Sequence, residues 1–262
     1  PTLAPMNRNL WLLALCQGLF LTNNVTFIAI NGLVGLSLAP MGWMATLPVM
    51  GYVVGGALST GMVARSQSRF GRKTSFQLGL VVAFLSALLC AYAAFSRNFW
   101  LLCAATLVAG YYNANAGLYR FAAAEVAGST AQEKAVSLVM AGGLLGAIAG
   151  PNLAAWTRNL FPVPFAGAYI ALAGVALLGM LALAFITFPP VPPKKAGQQG
   201  RPLSQIMKQP VFIVAAATGA LSFGVMNLLM AATPIAMQQC GMPFPDVALV
   251  LEWHVLGMFV PS

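Results

Sequence analysis

The sequence predicts an all-α protein, a polytopic bundle of membrane-spanning helices, and three observations carry that prediction. Of the 262 residues, 60% are hydrophobic and 6% are charged, leaving more apolar surface than a soluble domain can hide. Apolar runs recur between short polar breaks, each long enough for a bilayer core of about 30 Å, which takes roughly 20 residues per helix. The runs are rich in Leu, Ala, Gly and Met without sustained period-two alternation, which argues for helices rather than barrel strands.

The first span covers about 9–36 and carries Gln17, Asn23 and Asn24. It is too long for a cleaved leader and lacks a cleavage motif. The second, 41–64, has a small-residue ridge at Gly51, Gly55 and Ser59, and the third, 74–95, is nearly bare of strong polar groups. The fourth, 98–126, is the most polar, with Tyr111, Tyr112, Asn113, Asn115, Tyr119 and Arg120. The fifth, 135–158, contains "GGLLGAIAGPN"; the sixth, 166–188, is again bare; the seventh, 211–240, holds Asn227; an eighth begins near 246.

Orientation follows from Lys and Arg, because positive loops stay on the cytoplasmic side. Alternate breaks hold Arg8, Arg65, Arg69, Arg72, Lys73, Lys134, Lys194, Lys195, Arg201 and Lys208, against Arg97 and Arg158 in the other set. The N-terminus is therefore expected inside. The net charge of +9 sits in short loops rather than on one folded face, so nucleic acid is not an expected partner. Cys16, Cys90, Cys103 and Cys240 form no pair at metal or redox spacing, which makes packing their expected role. The sequon at Asn24 lies within a span, and "GRKTS" lacks the glycines of a phosphate loop. No catalytic constellation, cofactor or metal site is expected.

Residues 189–210, "PPVPPKKAGQQGRPLSQIMKQP", form the longest polar stretch and read as a linker. Three regions follow: a six-helix bundle over 1–188, a cytoplasmic linker over 189–210, and the start of a second bundle over 211–262. "GLFLTNN" (18–24) is echoed by "GALSFGVMN" (219–227), and "PVMGY" (48–52) by "HVLGM" (254–258), which points to a parallel repeat. The sequence stops at Ser262 inside the eighth span and starts at Pro1, so a piece of a longer protein is expected.

Between the second and third spans the chain reads Gly61, Val63, Ala64, then Arg69, Phe70, Gly71, Arg72 and Lys73. This resembles the pattern G-x-L-A-D-R-x-G-R-K of the major facilitator superfamily. "RFGRK" matches well; "RSQS" stands where the family has one Asp, read as three inserted residues and a lost acid. The resemblance implies that this Asp helps latch the cytoplasmic ends of two halves, a contact put in doubt here. By the chemistry of the residues, Gly61 permits close helix contact, Gly71 a tight turn, and the arginines can bind helix C-termini and lipid phosphates. In the fifth span Gly142, Gly146, Gly150 and Pro151 resemble the G-x-x-x-G-P motif found especially in the superfamily's antiporters, and they fit a plain packing groove equally well.

Polar side chains in hydrocarbon are costly unless they face a partner or water. Their concentration in the first, fourth and seventh spans therefore marks a water-facing path, and the superfamily resemblance implies that these spans line the central cavity. Asn113 and Arg120 share a helix face, with Tyr112, Asn115 and Tyr119 on an adjoining stripe. The expected solute-binding set is Asn23, Asn24, Tyr112, Asn113, Asn115, Tyr119, Arg120 and Asn227. Arg120 is equally placed to pair with Glu125 or to snorkel. The four acids are Glu125, Glu133, Asp246 and Glu252. Glu252 and His254 are the proton-coupling candidates, His254 serving as well as a packing residue.

The expectation is a monomeric secondary transporter in a bacterial inner membrane, exporting a small organic solute against protons by alternating access. A metabolite-uptake symporter is the alternative, and a non-transporting membrane scaffold the second. An enzyme would need a paired acid, a metal cluster or a nucleophile with its base.

Overall fold

A computed structural model describes residues 8–128, 131–189 and 203–260. All regular structure among them is helical: α1 (Arg8–Leu38), α2 (Leu47–Phe95), α3 (Phe99–Ala116), α4 (Tyr119–Ala127), α5 (Gln132–Thr157), α6 (Ala166–Ala184), α7 (Leu203–Met207), α8 (Pro210–Gln239) and α9 (Phe244–Phe259). Five of these (α1, α2 with the short turn before it, α5, α6 and α8) are long and apolar enough to cross a membrane. The linker expected at 189–210 falls mostly at 190–202, outside the described residues.

The 49-residue α2 combines the second and third expected spans. Straight, it would reach about 75 Å, more than twice a bilayer core. It breaks at Gly71, whose φ of 81° and ψ of 169° lie in a region open essentially to glycine alone. A Cβ on Gly51 would approach Thr106 and one on Gly56 would approach Asn113, so α3 runs parallel to 47–70. A short turn through Ser96 and Asn98 then joins 72–95 to α3, and a Cβ on Gly79 would crowd Asn115. The chain therefore reverses at Gly71 and α2 crosses twice. The fourth expected span is likewise two helices, interrupted at Gly117 and Leu118.

The central helix is α1, buried over most of its length. Against it α5 packs in parallel through bare backbone. A Cβ on Gly142 would overlap the Ala14 carbonyl, one on Gly146 the Gly18 carbonyl, and one on Gly150 would lie 3.2 Å from the Thr22 carbonyl. Small residues spaced by four thus let two backbones touch, as membrane helices do without a hydrophobic drive between them. Thr26 Oγ1 donates to the Gly150 carbonyl at 2.8 Å. On the other side of α1, Tyr169 Oη donates to Asn31 Oδ1 at 2.6 Å, a buried polar pair tying α1 to α6.

Two ends of the bundle are distinguishable. At the Arg72 end, Lys73 Nζ donates to the Ala184 carbonyl at 2.7 Å, closing the C-terminus of α6. At the Arg158 end, the start of α9 packs on the α5–α6 connection, Phe244 meeting Phe165 edge-on at 5.1 Å.

Candidate functional site

A cavity of about 430 Å³ opens between α1, α2, α3, α4, α5, α8 and α9, within the 300–1,000 Å³ range typical of small-molecule sites. Its polar groups come from five elements: Gln17 and Asn24 of α1, Tyr52 of α2, Asn113 of α3, Arg120 of α4 and Asn227 of α8. Aromatic and thioether side chains, among them Phe20, Phe121, Phe223, Met226 and Met230, line much of the rest together with aliphatic ones such as Leu21, Ile28 and Val53.

Asn24 Nδ2 donates to Asn113 Oδ1 at 3.4 Å, which spans the 89 residues between α1 and α3. Asn227 Nδ2 is turned back on its own helix, donating to the Phe223 carbonyl at 2.8 Å. The Arg120 guanidinium lies 5.0 Å from the Phe121 ring, and both residues are exposed. A mouth flanked by a cation and an aromatic face can take an anionic or acceptor group beside an apolar body.

The α3–α4 stripes separate cleanly. Asn113 and Arg120 face the cavity, while Tyr112, Asn115 and Tyr119 point into the bundle. Tyr112 packs edge-on against Phe20 at 5.6 Å, and Tyr119 against Phe76 at 4.8 Å. Asn115 Nδ2 donates to the Ser75 carbonyl at 2.6 Å, and Asn115 Oδ1 accepts from Gln67 Nε2 at 3.2 Å. Asn115 therefore clamps both limbs of α2 at their reversal. Asn23 is buried within the bundle, outside the cavity lining.

Glu125 binds Arg72 rather than Arg120. Arg72 Nε donates to Glu125 Oε2 at 2.8 Å and its Nη2 to Oε1, while its Nη1 reaches Gln67 Oε1. This fork joins the reversal loop to α4. The insertion read after Ala64 finds no bulge or loop to hold it, because the helix is continuous through 61–70. Counted back from Gly71 without a gap, Ala64 stands at the glycine position and Ser68 at the acidic one. Open space surrounds a Cβ built on Gly61, so the close contact expected there is absent among the described residues. Arg69 is exposed and lies over the neighbouring Phe70 ring at 5.3 Å.

Glu252 Oε2 accepts from Asn152 Nδ2 at 2.9 Å, joining α9 to α5 one residue after Pro151. His254 is half-buried, and its Nε2 has no hydrogen-bond partner among the described residues. Neither residue lines the cavity. Sequence reasoning passed over Tyr52, which lines the cavity and packs on Phe27 at 4.9 Å. It likewise passed over the apolar lining, because one more Phe or Met in an apolar span carries no signal.

The path of α8 bears on what the cavity can do. Its residues 211–225 are exposed throughout, whereas Met230, Ala231 and Pro234 are buried. A Cβ on Gly32 would touch Ala231 and Ile235. Thus α8 meets α1 toward the Arg158 end and stands away from the described bundle toward the Arg72 end, where Arg120 is exposed.

Comparison with known proteins supplies the family. The chain is 37% identical over 258 residues to "Riboflavin transporter RfnT" of Brucella anthropi, a match covering 97% of this chain and 65% of that protein. It is 26% identical over 251 residues to "Uncharacterized MFS-type transporter YdeG" of Bacillus subtilis, covering 90% and 58%. The chain thus spans less than two thirds of the length of these relatives. Its fold is similar to the crystal structure of a D-xylose-proton symporter, with a TM-score of 0.60 at 16% identity over 94% of this chain and 65% of that one. The family model of the Major Facilitator Superfamily matches residues 10–260, and with an all-helical bundle built around α1 the chain belongs to that superfamily.

Proposed function

We propose that this chain carries the solute path of a secondary transporter for a small, ring-bearing amphipathic solute of the flavin class, moved by alternating access. The observation that carries the reading is the cavity itself: amide groups of Asn24, Asn113 and Asn227 and the Arg120 guanidinium set among Phe and Met side chains. Amides suit the donor and acceptor edge of a heterocycle, and aromatic and thioether faces suit its rings. The 37% identity to a riboflavin transporter supports that solute class.

The mechanical parts fit the same reading. The bare-backbone contact of α1 with α5 is a surface on which helices can rock as units. The fork of Arg72 on Glu125 ties the reversal loop at Gly71 to the helix that carries Arg120. Residues 1–188 form the six-span half, 189–210 the linker and 211–262 the start of the second half, in a monomer seated in a bacterial inner membrane with its N-terminus cytoplasmic.

Coupling is assigned to protons, with Glu252 as the acid because it is the carboxylate held at the α5–α9 contact. Export is the direction taken from the sequence, and uptake is its alternative. The test is riboflavin flux in proteoliposomes under an imposed pH gradient of either sign. Counter-directed movement supports export and co-directed movement uptake. Flux indifferent to the gradient removes proton coupling, and absence of saturable flux removes the flavin class.

A further inference from the structure

A second cavity, of about 310 Å³, lies at the Arg158 end, apart from the solute cavity. Its lining comes from α1 (Ser37), the α2–α3 turn (Arg97), the end of α5 (Arg158), the α5–α6 connection (Phe165) and α8 (Gln238). Four observations on it converge. It holds two guanidinium groups, and none of the chain's four carboxylates lines it. Asp246 begins the neighbouring helix, yet among the described residues the ion pair found is that of Arg72 with Glu125.

Arg158 is also unusually fixed. Its guanidinium carbon sits 5.3 Å from the Phe165 ring and 5.4 Å from the Phe244 ring, and its buried Nε has no hydrogen-bond partner among the described residues. A half-buried cation whose Nε is buried between two aromatic rings, with no counter-charge among the described residues, leaves a donor that an anion would complete. The fourth observation is backbone strain. The non-glycine residues with positive φ among those described are Arg97 at 52° and Phe165 at 66°, and both line this cavity. Left-handed backbone at ordinary residues concentrates at ligand clamps, where surrounding structure enforces it.

We infer that this cavity is a binding site for a small organic oxyanion, a phosphate monoester or a carboxylate, clamped between Arg97 and Arg158 with the Gln238 amide as a further donor. The apolar walls, Leu33 and Val163 among them, accept the organic part. Because Gln238 comes from α8 and the Phe244 ring that holds Arg158 comes from α9, the site is complete only while these helices pack on the α5–α6 connection. The oxyanion therefore stabilises the state closed at the Arg158 end and acts as an effector distinct from the transported solute.

Phenyl phosphate and benzoate are the probes, with benzyl alcohol as the uncharged control, titrated into purified protein in neutral detergent and read by calorimetry and thermal unfolding. Saturable binding of either anion, absent for benzyl alcohol and weakened at least tenfold by Arg158→Gln and by Arg97→Gln, is the expected result. Arg97 is exposed in a turn, so its variant keeps the fold should Arg158→Gln lose it. Binding that persists in Arg120→Gln and is lost in Arg158→Gln and Arg97→Gln belongs to this site rather than to the solute cavity, whose mouth can also take an anion; binding lost only in Arg120→Gln overturns the inference. The same chemistry can come from a lipid headgroup. Binding in detergent assigns a free solute, whereas stabilisation only in phosphatidylglycerol nanodiscs, lost in Arg97→Gln, assigns the lipid. No response in either medium, or equal binding of the uncharged control, overturns the inference.

Discussion

Asn24 and Asn113, on helices α1 and α3, share a hydrogen bond of 3.4 Å across the wall of the cavity of about 430 Å³. Each side chain keeps further donor and acceptor capacity that the other does not use. The pair thus fixes two amide orientations while leaving polar atoms for a ligand.

Asn113→Ala is expected to lower flux about tenfold, corresponding to ~1.4 kcal/mol, with the melting temperature held. The side chain is half-exposed to the cavity, so its loss leaves little packing behind. Flux kinetics and thermal unfolding of the same preparation separate these effects.

Asn115 gives the opposite outcome, two residues away. Its amide closes the Ser75 carbonyl and the Gln67 amide inside the bundle, and truncation strands buried polar groups at a cost of ~1–3 kcal/mol. Asn115→Ala is expected to lower the melting temperature while leaving the KM of the remaining folded transporter unchanged.

The glycines divide in the same manner. Gly146→Leu drives a side chain into the Gly18 carbonyl and Leu21, and overpacking of this kind costs ~1–3 kcal/mol. Gly61→Ala meets open space inside a helix and is expected to hold or raise stability, by up to about 1 kcal/mol. Equal melting temperatures for the two variants would refute the α1–α5 contact.

Gly71→Ala tests the reversal of α2. With φ at 81° and ψ at 169° an alanine is strained by ~1–3 kcal/mol, and the fork from Arg72 to Glu125 moves with the loop. Reduced stability with a spectroscopically unchanged helix content is the expected result; an unperturbed melting curve would contradict the reversal geometry.

Much of this was legible beforehand because hydropathy fixes where helices must lie in lipid. The spans over 135–158, 166–188 and 211–240 reappear as α5, α6 and α8 within a few residues. Helical spacing also separated Asn113 and Arg120 from the stripe of Tyr112, Asn115 and Tyr119. What spacing cannot supply is the neighbour each stripe meets. The tyrosine stripe looked as wet as the other until Phe20 and Phe76 were found against it. Glu125 could pair with Arg120 by sequence proximity, and it chose Arg72, 53 residues away, because the reversal at Gly71 brings that guanidinium alongside α4. A glycine in sequence likewise does not say whether a backbone approaches it, and none approaches Gly61 among the described residues. The partners of Arg158, Phe165 and Phe244, arrive from a connection and from α9, beyond the reach of any local pattern.

The most direct test of the solute cavity is thiol labelling of Asn227→Cys in a Cys240→Ser background, Cys240 being the exposed native thiol. Position 227 lines the cavity from α8, whereas Leu178, exposed on α6, lies outside its lining. Riboflavin is expected to slow labelling at 227 saturably, at concentrations matching its transport KM, and to leave Leu178→Cys untouched. Labelling at 227 that ignores riboflavin while flux persists, or equal protection at 178, would contradict the account.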